Sequence, residues 1–151
     1  MIKEMLPDTT RRVKFHTKED VNEKIKTQTI NNISNFIGKT DAEISIRIKE
    51  LDKEWDIERT LETNADIAIL ITIILGFLFS TLWFVVTGII AAFLLQHALQ
   101  GWCPPLPIFR RMGIRTASEI HEEKMALKYL RENPNPSAET PDELFSRAEI
   151  D

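Results

Sequence analysis

The sequence contains little cysteine, little glycine and no long basic stripe. Cys103 is the single cysteine among 151 residues, so an intramolecular disulfide is impossible and a secreted, disulfide-stapled scaffold is excluded. The formal net charge is -4, which argues against broad nucleic-acid binding. The chain also lacks a glycine-rich phosphate-binding loop. These absences exclude several classes of soluble protein before any helix or strand is assigned.

The most informative absence is that of charged side chains between Ile67 and Leu95. An uncharged, mostly apolar run longer than about 18 residues is typical of a membrane-spanning segment. The run begins too far along the chain for a cleaved signal peptide. Because the flanking residues are densely charged, they cannot enclose such a run in a soluble core. The sequence therefore predicts a membrane protein.

The run is longer than one membrane crossing requires, since a single helix over it would measure roughly 43 Å against a hydrocarbon core of about 30 Å. A turn at Ser80–Trp83 places Trp83 at a membrane interface, which tryptophan prefers to the bilayer centre. We therefore favour a helical hairpin over 59–103, with one tilted span as the alternative. Gly76 and Gly88 lie at similar depth on the two arms, where small residues permit close helix packing.

Lysine and arginine flank both ends of the run, and the turn has none. In a hairpin, the positive-inside tendency then predicts a multi-pass protein with both termini in the cytoplasm. The basic side chains expected at the membrane surface are Arg110, Arg111 and Arg115. Glu54, Asp56 and Glu58 are expected to form a solvated ion-pair face with the neighbouring Lys53 and Arg59 or, alternatively, to dock against those arginines.

The flanking segments are predicted to be helical because apolar residues recur there at helical spacing and capping boxes begin at Thr40 and Thr116. The predicted fold class is an all-α membrane protein, with a transmembrane helical hairpin flanked by amphipathic cytoplasmic helices. The predicted divisions are a flexible N-terminal arm over 1–16, cytoplasmic helices over 17–58, the hairpin over 59–103, a linker and amphipathic helix over 104–132, and an acidic flexible tail over 133–151.

The first candidate site is a polar cluster of Asp66, His97 and Gln100 at the mouth of the hairpin. An ionisable group within a membrane segment suggests function, although a hydrogen bond between the helices is the simpler explanation. Cys103 is a candidate thiol, either reactive or merely a small apolar residue at a helix end. We predict no catalytic residues, no cofactor and no metal, and hence no enzyme activity, because the sequence offers neither a nucleophile–base pair nor enough zinc ligands.

Three segments carry a resemblance to a known family: Leu51–Arg59, the apolar hairpin, and Gln96–Pro107 with its Gly-Trp-Cys-Pro sequence. Together with the following Arg110–Thr116 they resemble the YgaP-like inner-membrane domain family, over about residues 50–130. The resemblance implies a bacterial cytoplasmic-membrane protein with a two-helix hairpin, often a dimer. The namesake type also carries a rhodanese domain, which this chain lacks, so the resemblance does not extend to sulfurtransferase activity.

Taken together, these features predict a small non-enzymatic module that is anchored in the membrane. It would act by self-association or as an accessory subunit of a membrane complex, so its expected partners are the lipid bilayer and a second copy or another membrane protein. Two alternatives stay open. One is a sulfur or thiol-redox component using Cys103, and the other is a protomer of an oligomeric channel or transporter lined by Asp66, His97 and Gln100.

Overall fold

The structure, a computed structural model, describes residues 7–133 and 140–149. Within these residues it contains eight helices and no strand: α1 (Arg12–Phe15), α2 (Glu19–Asn35), α3 (Asp41–Leu51), α4 (Ile57–Leu78), α5 (Leu82–Gln100), α6 (Leu106–Arg111), α7 (Ala117–Glu132) and α8 (Pro141–Ala148). The predicted all-α class is confirmed. The chain divides into two compact units, here called the hairpin unit (described residues 7–18 and 57–112) and the bundle unit (19–56, 113–133 and 140–149).

The hairpin unit is built on α4 and α5, which form the predicted hairpin. At about 1.5 Å per residue, the 22 residues of α4 extend roughly 33 Å and the 19 residues of α5 roughly 28 Å. Both helices are long and apolar enough to cross a bilayer. A turn at 79–81 separates them, where the amide of Trp83 donates to the Ser80 carbonyl at 3.1 Å. The uncharged run is therefore divided between two arms and is not one continuous helix.

The two short helices α1 and α6 complete the hairpin unit. A flexible arm was predicted for 1–16, of which 1–6 lie outside the described residues, but Arg12–Phe15 form α1 and Val13 is buried. Gly101 ends α5 with a left-handed conformation (φ 78°), which glycine adopts without steric cost. The prolines that follow lead into α6, whose Leu106 is fully buried.

The bundle unit packs helices from both sides of the hairpin sequence around one apolar core. Helix α7 contacts α2, α3 and α8, and α8 also contacts α2. Capping boxes open α3 at Thr40 and α7 at Thr116, as predicted, so two of the orphan amide groups at each helix start are satisfied. The buried core side chains include Ile33, Ile44, Ile48, Leu51, Leu127 and Leu130.

The segment 133–151, which was predicted to be a flexible tail, also differs from the prediction. Residues 134–139 and 150–151 lie outside the described residues, but Pro141–Ala148 form α8. Its start is fixed by a capping box between Thr140 and Glu143. Leu144 and Phe145 then add to the core, being only 1% and 4% exposed. Two adjacent apolar residues give little periodic signal, whereas the acidic composition of this segment favours a flexible tail.

Candidate functional site

The two predicted packing glycines have different surroundings in the hairpin. A Cβ atom on Gly76 would lie 2.7 Å from the ring of Phe84, so a larger residue at position 76 would have to displace that ring or separate the arms. A Cβ atom on Gly88 would meet nothing within 4 Å. About one helical turn before Gly76 on α4, the hydroxyl group of Thr72 lies 2.7 Å from that of Thr87 on α5, and a hydrogen bond between them joins the arms. The hairpin interface therefore uses Gly76 and leaves Gly88 on an open face.

The predicted polar cluster of Asp66, His97 and Gln100 is not joined by hydrogen bonds through His97. His97 is 4% exposed, whereas Asp66 and Gln100 are exposed. Neither ring nitrogen of His97 has a hydrogen-bond partner among the described residues, so no hydrogen bond links His97 to Asp66 or Gln100. A buried imidazole without a partner loses the hydrogen bonds that water would give it, which is unfavourable.

Arg12 forms the polar contacts at the open end of the hairpin, by which we mean the end opposite the Ser80 turn. Its Nη1 donates to the carbonyl of Ala98 at 2.7 Å, and its Nη2 lies 3.7 Å from Glu58 Oε1. A basic side chain is favourable at this position because the carbonyl groups of the last helical turn carry partial negative charge. Arg12 thereby joins the beginning of α4 to the end of α5. This role is not predictable from the sequence, because Arg12 and Ala98 are far apart in the chain.

Arg110 also forms a hydrogen bond between distant segments of the hairpin unit. It was predicted to lie at the membrane surface, but it is 1% exposed and its Nε donates to Thr17 Oγ1 at 3.2 Å. The neighbouring Arg111 is exposed on α6, as a surface position requires. The prediction was wrong for Arg110 because adjacent residues on a helix point in different directions, and tertiary contacts such as the one with Thr17 determine which arginine is enclosed.

An apolar cavity of about 450 Å³ lies between α4, α5 and the segment that follows α5. Its volume falls within the range of about 300–1,000 Å³ that is usual for ligand pockets. The wall includes Leu61, Ala65, Ala68, Ile90, Leu94 and Cys103. Asn64 adds an amide, but that group donates to the Thr60 carbonyl of its own helix at 2.7 Å. The cavity, hereafter the groove, is thus suited to a hydrocarbon group.

Comparison with known families supports the assignment of this hairpin. Residues 63–119 match the sequence model of the family described as inner membrane protein YgaP-like, transmembrane domain. This segment of the chain is therefore similar to the YgaP-like transmembrane domain. This match confirms the predicted resemblance for that segment, which is less than half of the chain. No curated protein and no solved structure matches the chain.

Cys103, within the YgaP-like segment, lines the groove and is 5% exposed. Burial raises the pKa of its thiol, and the hydrogen bond to the Leu106 backbone offsets this only in part. A higher pKa means less thiolate at neutral pH, and the thiolate is the reactive form. The environment of Cys103 therefore disfavours the reactive thiolate form.

We expect Cys103 to react slowly with a membrane-permeant maleimide at pH 7 in the folded protein and rapidly after denaturation. The expected cause is both low access and a low thiolate fraction, so the rate should increase as the pH rises toward the thiol pKa. Mass spectrometry of the labelled protein measures the rate, with free cysteine as the reference. Labelling of the folded protein as fast as that of free cysteine would instead favour the thiol-redox hypothesis.

Arg115 lies at the centre of a buried charge cluster in the bundle unit. It was predicted at the membrane surface, yet it is 5% exposed and forms two hydrogen bonds to Glu54, at 2.8 and 2.7 Å. It also donates to Glu123, which is fully buried and accepts from Arg47 and Asn32. The sequence-based alternative, in which the acidic residues dock against these arginines, is the arrangement found for Glu54.

The electrostatics of this cluster favour charged side chains. Burial alone would lower the pKa of Arg115, but the hydrogen bonds and charges of Glu54 and Glu123 raise it above the ordinary value. The guanidinium therefore stays charged at every physiological pH, and it is paired on two sides.

Among the described residues, no three His, Cys, Asp or Glu side chains are grouped closely enough to hold a metal ion.

Proposed function

We propose that this chain is a non-enzymatic module of the bacterial cytoplasmic membrane that acts by self-association through the outer face of α5. The observation that supports the proposal most strongly is the open space around Gly88. A glycine in a membrane helix is useful where another backbone approaches closely, and the partner arm of the hairpin does not approach Gly88. A second copy of α5 would give this glycine the packing role that Gly76 has within the hairpin.

The arrangement of the residues around Gly88 fits such a helix–helix contact. They follow one another at alternating intervals of four and three along α5 and are all exposed: Thr81, Val85, Gly88, Ala92, Leu95 and Leu99. This spacing keeps one narrow face turned toward a partner helix in a left-handed pair. Gly88 and Ala92 at its centre form a small-xxx-small pair, which lets backbones approach within van der Waals distance. We call this surface the Gly88 face.

The proposed topology follows from the same hairpin. Two spans with a short turn bring both flanks to one side, and the basic residues around them favour the cytoplasm. The described part of the chain has its polar helices, α2, α3, α7 and α8, on those flanks. Self-association of the hairpin would thus bring together copies of a cytoplasmic bundle.

We expect Gly88→Leu to reduce self-association of the chain by about tenfold or more, since a bulky residue at a close helix contact replaces favourable packing with a clash. The measurement is native mass spectrometry of the purified protein in nanodiscs over a range of protein-to-lipid ratios. Val86→Leu is the matched control, because it adds a methylene group to the same helix roughly 160° away from the Gly88 face.

Three results are informative here. Loss of the oligomer in Gly88→Leu but not in Val86→Leu supports the Gly88 face as the contact. An oligomer unchanged in both variants contradicts it. Purification of a wild-type single copy with other subunits at a fixed ratio would instead identify the chain as an accessory subunit of a larger complex.

A further inference from the structure

We propose that the hairpin unit binds one anionic phospholipid, with an acyl chain in the groove between α4 and α5. The site is distinct from the proposed self-association surface. Ile90 in the groove wall lies two residues after Gly88 and hence roughly 200° around α5. A ligand in the groove and a second copy on the Gly88 face can therefore be bound together.

The shape of the groove favours a flexible chain over a partner helix. On α4 it follows Leu61, Ala65 and Ala68, which occupy one stripe of the helix over about two turns. At the end of α5 it is bounded by Cys103 and the prolines that follow, together with Phe109 of α6. A helix of about 10 Å diameter would collide with that boundary, whereas an acyl chain can end against it.

The chemistry of the wall leads to the same occupant. Apart from Asn64, the wall consists of hydrocarbon side chains, prolines and the buried thiol, so water gains few hydrogen bonds there. Both helices that form it have the length and composition of membrane spans. The medium that can fill an apolar groove between two membrane-spanning helices is lipid hydrocarbon, and filling the groove restores dispersion contacts that an empty one lacks.

The charge at the open end of the hairpin complements an anionic headgroup. In residues 7–18, 57–62 and 101–112, with the buried Arg110 left out, the basic side chains outnumber the acidic ones by six to three. The basic ones are Arg11, Arg12, Lys14, Lys18, Arg59 and Arg111, and the acidic ones are Asp8, Glu58 and Glu62. Basic residues beside a membrane span attract anionic lipid. The site therefore combines a hydrocarbon groove with a positive rim.

Large apolar side chains at the same end are consistent with contact to the headgroup region. Phe15 on α1, Ile108 on α6 and Met112 after α6 are 78%, 61% and 70% exposed. Exposed apolar residues interspersed with basic ones are typical of segments that lie in the membrane interface. The hydrogen bond between Arg110 and Thr17 connects the segment of α1 with α6. The two short helices thus present one combined interfacial surface, to which a lipid headgroup has access.

The experiment uses the full chain in nanodiscs that contain phosphatidylethanolamine and phosphatidylglycerol in equal amounts. Native mass spectrometry after release from the nanodisc should find one phosphatidylglycerol retained per chain, enriched over phosphatidylethanolamine by about fivefold, which is the factor expected from one favourable basic contact. Ala68→Phe fills the groove and should abolish retention. Leu70→Phe introduces the same ring on an exposed face of α4 and should leave retention unchanged.

A second measurement uses the wild-type protein, so its result does not depend on whether Ala68→Phe folds. The wild-type protein is reconstituted with phosphatidylglycerol that carries a diazirine in one acyl chain, and the cross-linked residues are mapped. Adducts concentrated on the groove residues support the site, whereas adducts spread evenly over the hairpin show ordinary surrounding lipid and contradict it. Lipid retention in Gly88→Leu separates the two proposals, because a lost oligomer with retained lipid leaves the groove site intact.

Discussion

Arg115→Met should reduce the free energy of unfolding of the bundle unit by about 3–5 kcal/mol, the usual cost of removing one partner from a buried ion pair. The substitution leaves Glu123 fully buried and deprives it of one of its cationic partners. It also removes both hydrogen bonds that hold Glu54. Since a small domain is stabilised by only about 5–15 kcal/mol, this loss is a large share of the total.

Hydrogen exchange of the α3 and α7 amides in the full chain measures this effect, because those helices carry Arg47 and Glu123. Lys124→Met is the control, because Lys124 follows Glu123 on α7. Its ion pair with Asp52 is more exposed, so we expect a change below about 1 kcal/mol. Equal exchange rates in the two variants would show that the Arg115 cluster does not stabilise the bundle.

A double variant tests the physical reason for the large effect. Arg115→Met combined with Glu123→Met removes the buried positive charge and the buried negative charge together. Because the main cost of the single change is an uncompensated charge, the double variant should regain part of the lost stability. If the loss of stability in the double variant equals the sum of the losses in the two single variants, each side chain contributes by packing alone.

The hairpin and the starts of α3 and α7 could be predicted from the sequence because their causes are local. A long uncharged run, a central Ser-Thr turn and Thr-x-x-Glu capping boxes act over a few residues. The Gly-Trp-Cys-Pro segment, which carries part of the family resemblance, lies within the matched residues. Such features do not depend on which distant segments meet.

The contacts that define the candidate sites could not be predicted because their causes are distant in the chain. Arg12 bonds to Ala98 across 86 positions, and Arg115 bonds to Glu54 across 61. A surface location was a reasonable expectation for Arg115 from its charge, since buried charges require partners that the sequence alone does not reveal. The difference between Gly76 and Gly88 is of the same kind, because it depends on where the ring of Phe84 lies.

Gly101→Ala is expected to release residues 8–18 from the end of α5, at a cost of about 1–3 kcal/mol for the left-handed backbone and a further cost for the clash. Gly101 has a φ of 78°, and an added Cβ would lie 2.7 Å from the backbone carbonyl carbon of Arg12. Backbone atoms cannot move aside as the tip of a side chain can. We therefore expect the hydrogen bond from Arg12 to the Ala98 carbonyl to be lost with the contact.

Limited trypsin digestion of the full chain in nanodiscs measures the release, since cleavage after Arg11, Arg12 and Lys14 requires this segment to leave the hairpin. Gly113→Ala is a closely matched control, because Gly113 also has a positive φ, 87°, but its nearest neighbour would be Gln28 Oε1 at 3.8 Å. The Gly113→Ala variant therefore has the strain of a left-handed backbone at an alanine but no steric clash. Faster cleavage at 8–18 in Gly101→Ala than in Gly113→Ala therefore attributes the effect to the close contact with Arg12, and equal cleavage in both would show that Gly101 does not hold this segment in place.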